Sequence, residues 1–258
     1  MPEQDYSILD QPLVLSFVFY PRKDITPPPP NATDHLIAVD RGVAVACRFY
    51  AHSPGAPSVI YFHGNGEVTS DYDYIAPLYN QMGINLFVAD YRGYGASGGS
   101  PTFSKMVSDA PTIFTVFADI LKEKGYRKDI FAMGRSLGSV SALEIAHQCQ
   151  EQLKGLIIES GFASVTNLLE HLGIPAESLG LTNPDFPNLA RIRTITIPTL
   201  IIHGEYDSLI PVSEGEALFQ NAAASKKELV TIPGAEHNDI MLVGTERYFA
   251  ALGKFVLG

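Results

Sequence analysis

Apolar and polar positions change rhythm once along the chain, near residue 58. Before that point the apolar residues fall in short runs. Residues 13–20, LVLSFVFY, read as a strand rich in Val and Phe. Residues 36–39 and 43–50 flank Asp40-Arg41-Gly42 and read as a hairpin. The three predicted strands suggest the antiparallel edge of a sheet. Pro27, Pro28, Pro29 and Pro30 form a stiff polyproline II connection with no N–H to donate, which belongs on the surface.

From residue 58 strand patterns alternate with helical ones. Apolar runs at 59–62, 85–89, 130–133, 156–159, 199–203 and 228–232 read as strands. Helical spacing covers 71–82, 103–124, the stretch after Gly138 to about 152, 216–221 and 240–256. This alternation predicts an α/β fold: a mostly parallel central sheet with helices on both faces and function at the carboxyl ends of the strands. One interval breaks the rhythm. Residues 161–198 hold apolar patches that include Phe162, Leu168, Leu172, Ile174, Leu181 and Phe186, interrupted by Pro175, Pro184 and Pro187. We read 1–258 as a single domain and 161–198 as a small lid inserted in it, with Phe162, Leu172 and Phe186 lining a substrate pocket. An ordinary helical crossover is the alternative.

Composition narrows the class. Of 258 residues, 46% are hydrophobic and 18% charged, a globular balance. The formal net charge of −10 argues against nucleic acid and anionic membrane surfaces as partners, since both select basic patches. Cys47 and Cys149 have neither disulfide-framework nor metal-site spacing and read as reduced thiols. The start, MPEQDYSILD, lacks the basic region of a signal peptide, and the run at 13–19 is too short to span a bilayer. A cytoplasmic protein without stable membrane insertion is the expectation.

The candidate chemistry centres on 130–144, IFAMGRSLGSVSALE. A strand, a sharp turn and a helix put Ser136 at the apex of Gly134-Arg135-Ser136-Leu137-Gly138, the pattern of a nucleophile elbow. A serine hydroxyl needs a base and the base an orienting carboxylate. Two later strand-end loops supply them: His203-Gly204-Glu205-Tyr206-Asp207 and Gly234-Ala235-Glu236-His237-Asn238. His237 is the candidate base and Asp207 the candidate acid, with Glu205 and Glu159 as runners-up. His63 and His203, each before a glycine at a strand end, read as loop braces. His35, His52, His147 and His171 show no partner pattern, and no cluster at ligand spacing points to a metal. An oxyanion hole would use the backbone N–H of Leu137 and one from the loop His63-Gly64-Asn65-Gly66, assigned to Asn65 with Gly66 next.

Together these residues resemble the α/β-hydrolase superfamily, over residues 58–258. HGNG at 63–66, GRSLG at 134–138, Asp207 after HGEY and His237 in GAEHND carry the resemblance, in that order. DYRGYGASGG at 90–99 is similar to a loop common in the branch that holds small lipases, lysophospholipases and protein depalmitoylases. The resemblance implies cofactor-free hydrolysis of a small-molecule ester, thioester or amide through an acyl-enzyme. Ser139 stands where many relatives carry Gly, and the interval 161–198 is shorter than the caps of many lipases. A carboxylesterase or acyl-thioesterase is the expectation; a serine aminopeptidase or amidase, and a non-catalytic ligand receptor on the same fold, are the alternatives.

Overall fold

The computed structural model describes residues 6–171, 173–181 and 187–258. It divides into two compact units, residues 1–132 and 133–258. In the first, the stretch expected as an initial strand is a helix, α1 (Pro12–Val18). An unbroken apolar run is ambiguous between the two periods. Pro12 decides it, because proline at the first helical position has the right φ and loses no hydrogen bond there. Val14 and Val18, four apart, face inward, while Leu13 and Phe17 remain exposed. The antiparallel edge therefore has two strands, not three: β1 (Ala32–Asp40) and β2 (Val43–Tyr50), joined through Gly42 at φ +74°.

The parallel part begins with β3 (Ser58–Phe62), which pairs with β4 (Asn85–Ala89) in the register Val59↔Leu86, Tyr61↔Val88. The helix expected at 71–82 is split into a 3-10 turn, Thr69–Asp73, and α2 (Ala76–Gln81). Asp71 closes the turn by accepting the Val68 N–H at 2.9 Å, and a proline in the first turn restarts the helix. The long helix α3 (Phe103–Glu123) starts where the Thr102 hydroxyl accepts the Lys105 N–H at 3.1 Å. Its Phe117 stacks on Phe87 of β4 with ring centroids 4.2 Å apart and meets Phe49 of β2 edge-on at 5.7 Å. These aromatic rings tie helix to sheet.

The second unit is built from β5 (Ile130–Arg135, begun in the first), α4 (Ser139–Cys149), β6 (Gly155–Glu159), α5 (Val165–His171), α6 (Asn188–Ile192), β7 (Thr199–Gly204), α7 (Val212–Asn221) and β8 (Lys227–Ile232). The closing helix is interrupted: α8 (Ile240–Val243) ends at Gly244, and α9 (Thr245–Leu257) follows. Gly244 lies so close to β8 that a Cβ there would sit 2.2 Å from Ile232 Cγ2. Among the described residues the strands form one sheet in the order β1-β2-β4-β3-β5-β6-β7-β8. The β1/β2 and β2/β4 pairs are antiparallel; β3/β4, β6/β7 and β7/β8 are parallel. The mostly parallel α/β architecture with an antiparallel N-terminal edge thus holds. The ends of β5 and β6 and the loops after β7 and β8 carry Arg135, Glu159, Asp207 and His237.

Candidate active site

Ser136 follows β5 directly, in a 3-10 turn (Ser136–Gly138) that leads into α4. Its φ is +51°, a left-handed conformation that an L-residue adopts at a cost and that a tight elbow imposes. Gly134 permits the turn: a Cβ there would lie 2.3 Å from the Gly138 carbonyl oxygen and 2.8 Å from Ala142 Cβ. The Ser136 hydroxyl donates to His237 Nε2 at 3.0 Å. His237 Nδ1 donates to Asp207 Oδ2 at 2.7 Å. The other Asp207 oxygen accepts the Leu209 N–H at 3.1 Å and the Ile210 N–H at 2.7 Å. All three side chains are buried. This arrangement fixes the imidazole tautomer: Nδ1 carries the proton, and Nε2 is the acceptor facing the serine.

Two loops must approach closely to make this contact. Gly204, at the end of β7, allows it, since a Cβ there would stand 2.6 Å from the Ala235 carbonyl oxygen. Tyr206 N–H donates to that same carbonyl at 2.9 Å, and Ser208 N–H and hydroxyl both donate to Glu236. Burial works to raise the Asp207 pKa. The hydrogen bonds from His203 and His237, the His237 charge and the Ile210 N–H outweigh it, so the carboxyl is held well below the usual carboxylate range. His203 braces the loop as expected: Nε2 donates to the Ile210 carbonyl at 2.8 Å and lies 3.4 Å from Asp207 Oδ2. The runners-up for the acid sit elsewhere. Glu205 accepts the Gly234 N–H at 3.0 Å, and Glu159 meets Arg135 at 3.2 Å and the Tyr248 hydroxyl at 2.8 Å.

Leu137 is the residue after the serine, in the turn that opens α4. Asn65 belongs to the first unit, where its side-chain oxygen accepts from the Tyr94 hydroxyl at 2.7 Å and the Tyr20 N–H at 2.9 Å. Its loop is stiffened from below. His63 donates from Nδ1 to the Gly64 carbonyl at 2.7 Å and from Nε2 to Asp90 Oδ1 at 3.0 Å. Burial opposes a charge on this ring, yet the bond to Asp90 and its charge prevail, and the His63 pKa is raised. The 90–99 stretch is thereby seen to hold the 63–66 loop, through Asp90 and Tyr94, and is itself pinned by Arg92, which binds both oxygens of Asp109 at 2.7 and 2.8 Å.

The interval 161–198 contains short helices. Phe162, at its start, is buried, and its carbonyl accepts from Asn188 Nδ2 at 2.7 Å. Asn188 also donates to Ser139 Oγ at 3.2 Å. The remaining pocket candidates, Leu172 and Phe186, lie outside the described residues. Glu214 of α7 accepts the Ala163 N–H at 2.8 Å and Asn167 Nδ2 at 3.0 Å, holding the interval's start. Sequence reasoning passed over Arg135, Asn188 and Glu214; Arg135 lies inside the elbow motif, but that motif specifies only its glycines and its serine. Among the described residues no group of three or more His, Cys, Asp or Glu is placed to hold a metal, and no helix is long and apolar enough to cross a membrane.

Comparison with known proteins identifies the fold and the family. The esterase Pf2001 of Pyrococcus furiosus has a structure that matches with a TM-score of 0.75 at 20% identity, covering 92% of this chain and 98% of that one. Est1E from Butyrivibrio proteoclasticus matches at 0.65 and 19% identity, over 87% of this chain and 99% of its own. At these identities the likeness is one of fold, and the fold is that of the α/β-hydrolases. A family model described as serine aminopeptidase, S33, matches residues 54–190 and 187–241. Human alpha/beta hydrolase domain-containing protein 17B is 32% identical over 227 residues, 86% of this chain and 74% of that protein. The Xenopus laevis protein of the same name is 31% identical over a span of the same length. The chain therefore belongs to the S33 serine aminopeptidase family of α/β-hydrolases, and it is a hydrolase.

Proposed function

We propose that this hydrolase cleaves a carboxylic ester or thioester of a small acyl group through an acyl-enzyme. The observation that carries the reading is the buried chain of two hydrogen bonds, Ser136 Oγ to His237 Nε2 at 3.0 Å and His237 Nδ1 to Asp207 at 2.7 Å. Ser136 attacks the acyl carbonyl while His237 Nε2 takes its proton. Asp207, ionised throughout, holds the imidazole and stabilises its charged form. The tetrahedral oxyanion is assigned to the backbone N–H groups of Leu137 and Asn65. His237 then protonates the departing alcohol or thiol, and water attacking the acyl-serine by the reverse route releases the acid. The interval 161–198 is assigned as a lid over the acyl group, with Phe162 buried at its start; Leu172 and Phe186, the other expected contacts, lie outside the described residues.

The family description favours a second reading, removal of an N-terminal amino acid. That reaction calls for a carboxylate to receive the substrate ammonium. Among the described residues of the unit that carries Ser136, the buried carboxylates are already paired: Glu144 with Arg191, Glu159 with Arg135, Asp207 with His237. This supports the ester reading. A p-nitrophenyl ester run beside an aminoacyl p-nitroanilide tests it: ester hydrolysis is expected to dominate, with a fluorophosphonate probe attached to Ser136. Ser136→Ala should lower kcat by roughly 10⁴-fold or more. Full esterase activity in that variant would remove Ser136 from its role.

A further inference from the structure

Arg135 immediately precedes Ser136, and its side chain joins a buried network. Its Nη2 donates to the backbone carbonyl of His237 at 2.9 Å and to Asn238 Oδ1 at 3.0 Å. Its Nε donates to Glu159 Oε1 at 3.2 Å. The second Glu159 oxygen accepts the Tyr248 hydroxyl at 2.8 Å. Arg135 and His237 are almost fully buried, and Glu159 and Tyr248 completely so. Four separate parts of the chain contribute: the end of β5, the end of β6, helix α9, and the loop after β8.

We propose that Arg135 is a positioning residue for the general base, clamping the His237 backbone to the strand that carries the nucleophile; this rests on the serine-hydrolase reading above. The argument is geometric. Asp207 holds the imidazole only by Nδ1, so the ring can still move with its own main chain. Arg135 fixes that main chain at the His237 carbonyl. Because residues 135 and 136 are consecutive, the anchor of the base and the nucleophile share one rigid strand end. The separation of Ser136 Oγ and His237 Nε2 is thus set through a short path rather than across two independent loops. The chemistry of the group matters. A guanidinium presents several N–H donors in a fixed plane, and here they reach a carbonyl, an amide oxygen and a carboxylate at once; an ammonium cannot match that fork. Glu159 supplies the compensating charge that lets the guanidinium stay buried, and Tyr248 holds Glu159 in turn. A misplacement of about 1 Å between reacting groups costs roughly 10²-fold in rate.

The test uses the full chain in three forms: wild type, Arg135→Lys, and the charge-balanced double variant Arg135→Met/Glu159→Gln, which removes the clamp without stranding a buried carboxylate. For each, kcat and KM on p-nitrophenyl acetate, the rate of fluorophosphonate labelling mapped by mass spectrometry, and Tm are measured. The expected result is a fall in kcat of about 10- to 100-fold in both variants. KM should stay within about twofold, labelling of Ser136 should slow in step with kcat, and the double variant should remain folded at the assay temperature. A purely structural role would lower Tm and the folded fraction but leave kcat per folded molecule unchanged, and that outcome overturns the proposal. So does a loss expressed in KM alone. Wild type labelled at a residue other than Ser136, or not labelled, overturns the serine-hydrolase reading itself and this inference with it, and that failure is separate from normal labelling at Ser136 in all three forms.

Discussion

Gly204→Ala isolates the step on which the geometry of the site depends, the approach of the Asp207 loop to the His237 loop. The added Cβ would fall 2.6 Å from the Ala235 carbonyl oxygen and 3.0 Å from that of Glu236. Neither is a flexible side-chain end; both are backbone. Ordinary van der Waals contact begins near 3.4 Å. One loop must therefore retreat from the other by about 0.8 Å, an overpacking that costs on the order of 1–3 kcal/mol of stability. The same retreat acts on the bond between His237 Nδ1 and Asp207, which is 2.7 Å long. Lengthened by that amount it leaves the hydrogen-bonding range of about 2.7–3.2 Å. Full loss of the acid's function costs about 10⁴-fold, and a displacement of about 1 Å costs roughly 10²-fold. The expected kcat of the variant is accordingly about 10²-fold below wild type, with KM little changed, measured on p-nitrophenyl butyrate at a temperature where the melt shows the protein folded. Gly55→Ala is the control, since a Cβ at Gly55 meets nothing within 4 Å, and it should leave both kcat and Tm at wild-type values. A Gly204→Ala enzyme within about threefold of wild type would show that loop separation does not govern the Asp207–His237 contact, and the reasoning fails.

Three further outcomes follow from the site. Asp207→Asn should lower kcat by roughly 10³- to 10⁴-fold, while Glu205→Gln, whose carboxylate only braces the Gly234 N–H, should cost far less; steady-state kinetics on one ester compares them. Stability should depend on acid pH through Asp207: its folded pKa lies below the ordinary 3.8, so its contribution is present above that value and lost as pH falls through the folded value. The Tm difference between wild type and Asp207→Asn should thus be constant at neutral pH and shrink below about pH 4, and a difference that grows on acidification would reverse the sign. On an ester series, kcat/KM should rise from acetyl to about butyryl or hexanoyl, at about 0.8 kcal/mol or roughly fourfold per methylene, then fall; Leu172→Ala or Phe186→Ala should move that optimum, and a flat profile would reduce 161–198 to a crossover.

Much of the fold was legible because burial writes its own period into a sequence. The β3, β4, β6, β7 and β8 strands are short apolar runs bounded by turn residues, and each was placed within a residue or two. Failures came where local rules compete. Residues 13–20 satisfy a strand by composition, yet Pro12 starts a helix and the buried positions, Val14 and Val18, are four apart. The expected helices at 71–82 and 240–256 were single in the pattern but broken in the structure. In the first, Asp71 caps a 3-10 turn; in the second, Gly244 is pressed against Ile232 of β8. The first break is a local cap and the second a contact with the preceding strand, and periodicity records neither.

The site was legible for a different reason. A sharp elbow needs glycine where backbone and helix approach, so Gly134 announces Ser136 in the sequence before any partner is known. Asp207 and His237 were reachable because each follows a recognisable strand. What supports them left weaker marks. Glu159 looked like a rival acid, since a carboxylate at a strand end reads the same whether it faces a histidine or an arginine; only the 3.2 Å contact with Arg135 distinguishes them. Arg135 itself was hidden by its motif, in which only the glycines and the serine are specified. The order of legibility therefore follows the range of the constraint. The steric demand of the elbow acts between near neighbours in sequence, Gly134 and Gly138, and leaves glycines. Positioning acts between residues 102 or 103 apart, as from Arg135 to His237 and Asn238, and leaves only a charged residue whose partner the sequence does not name.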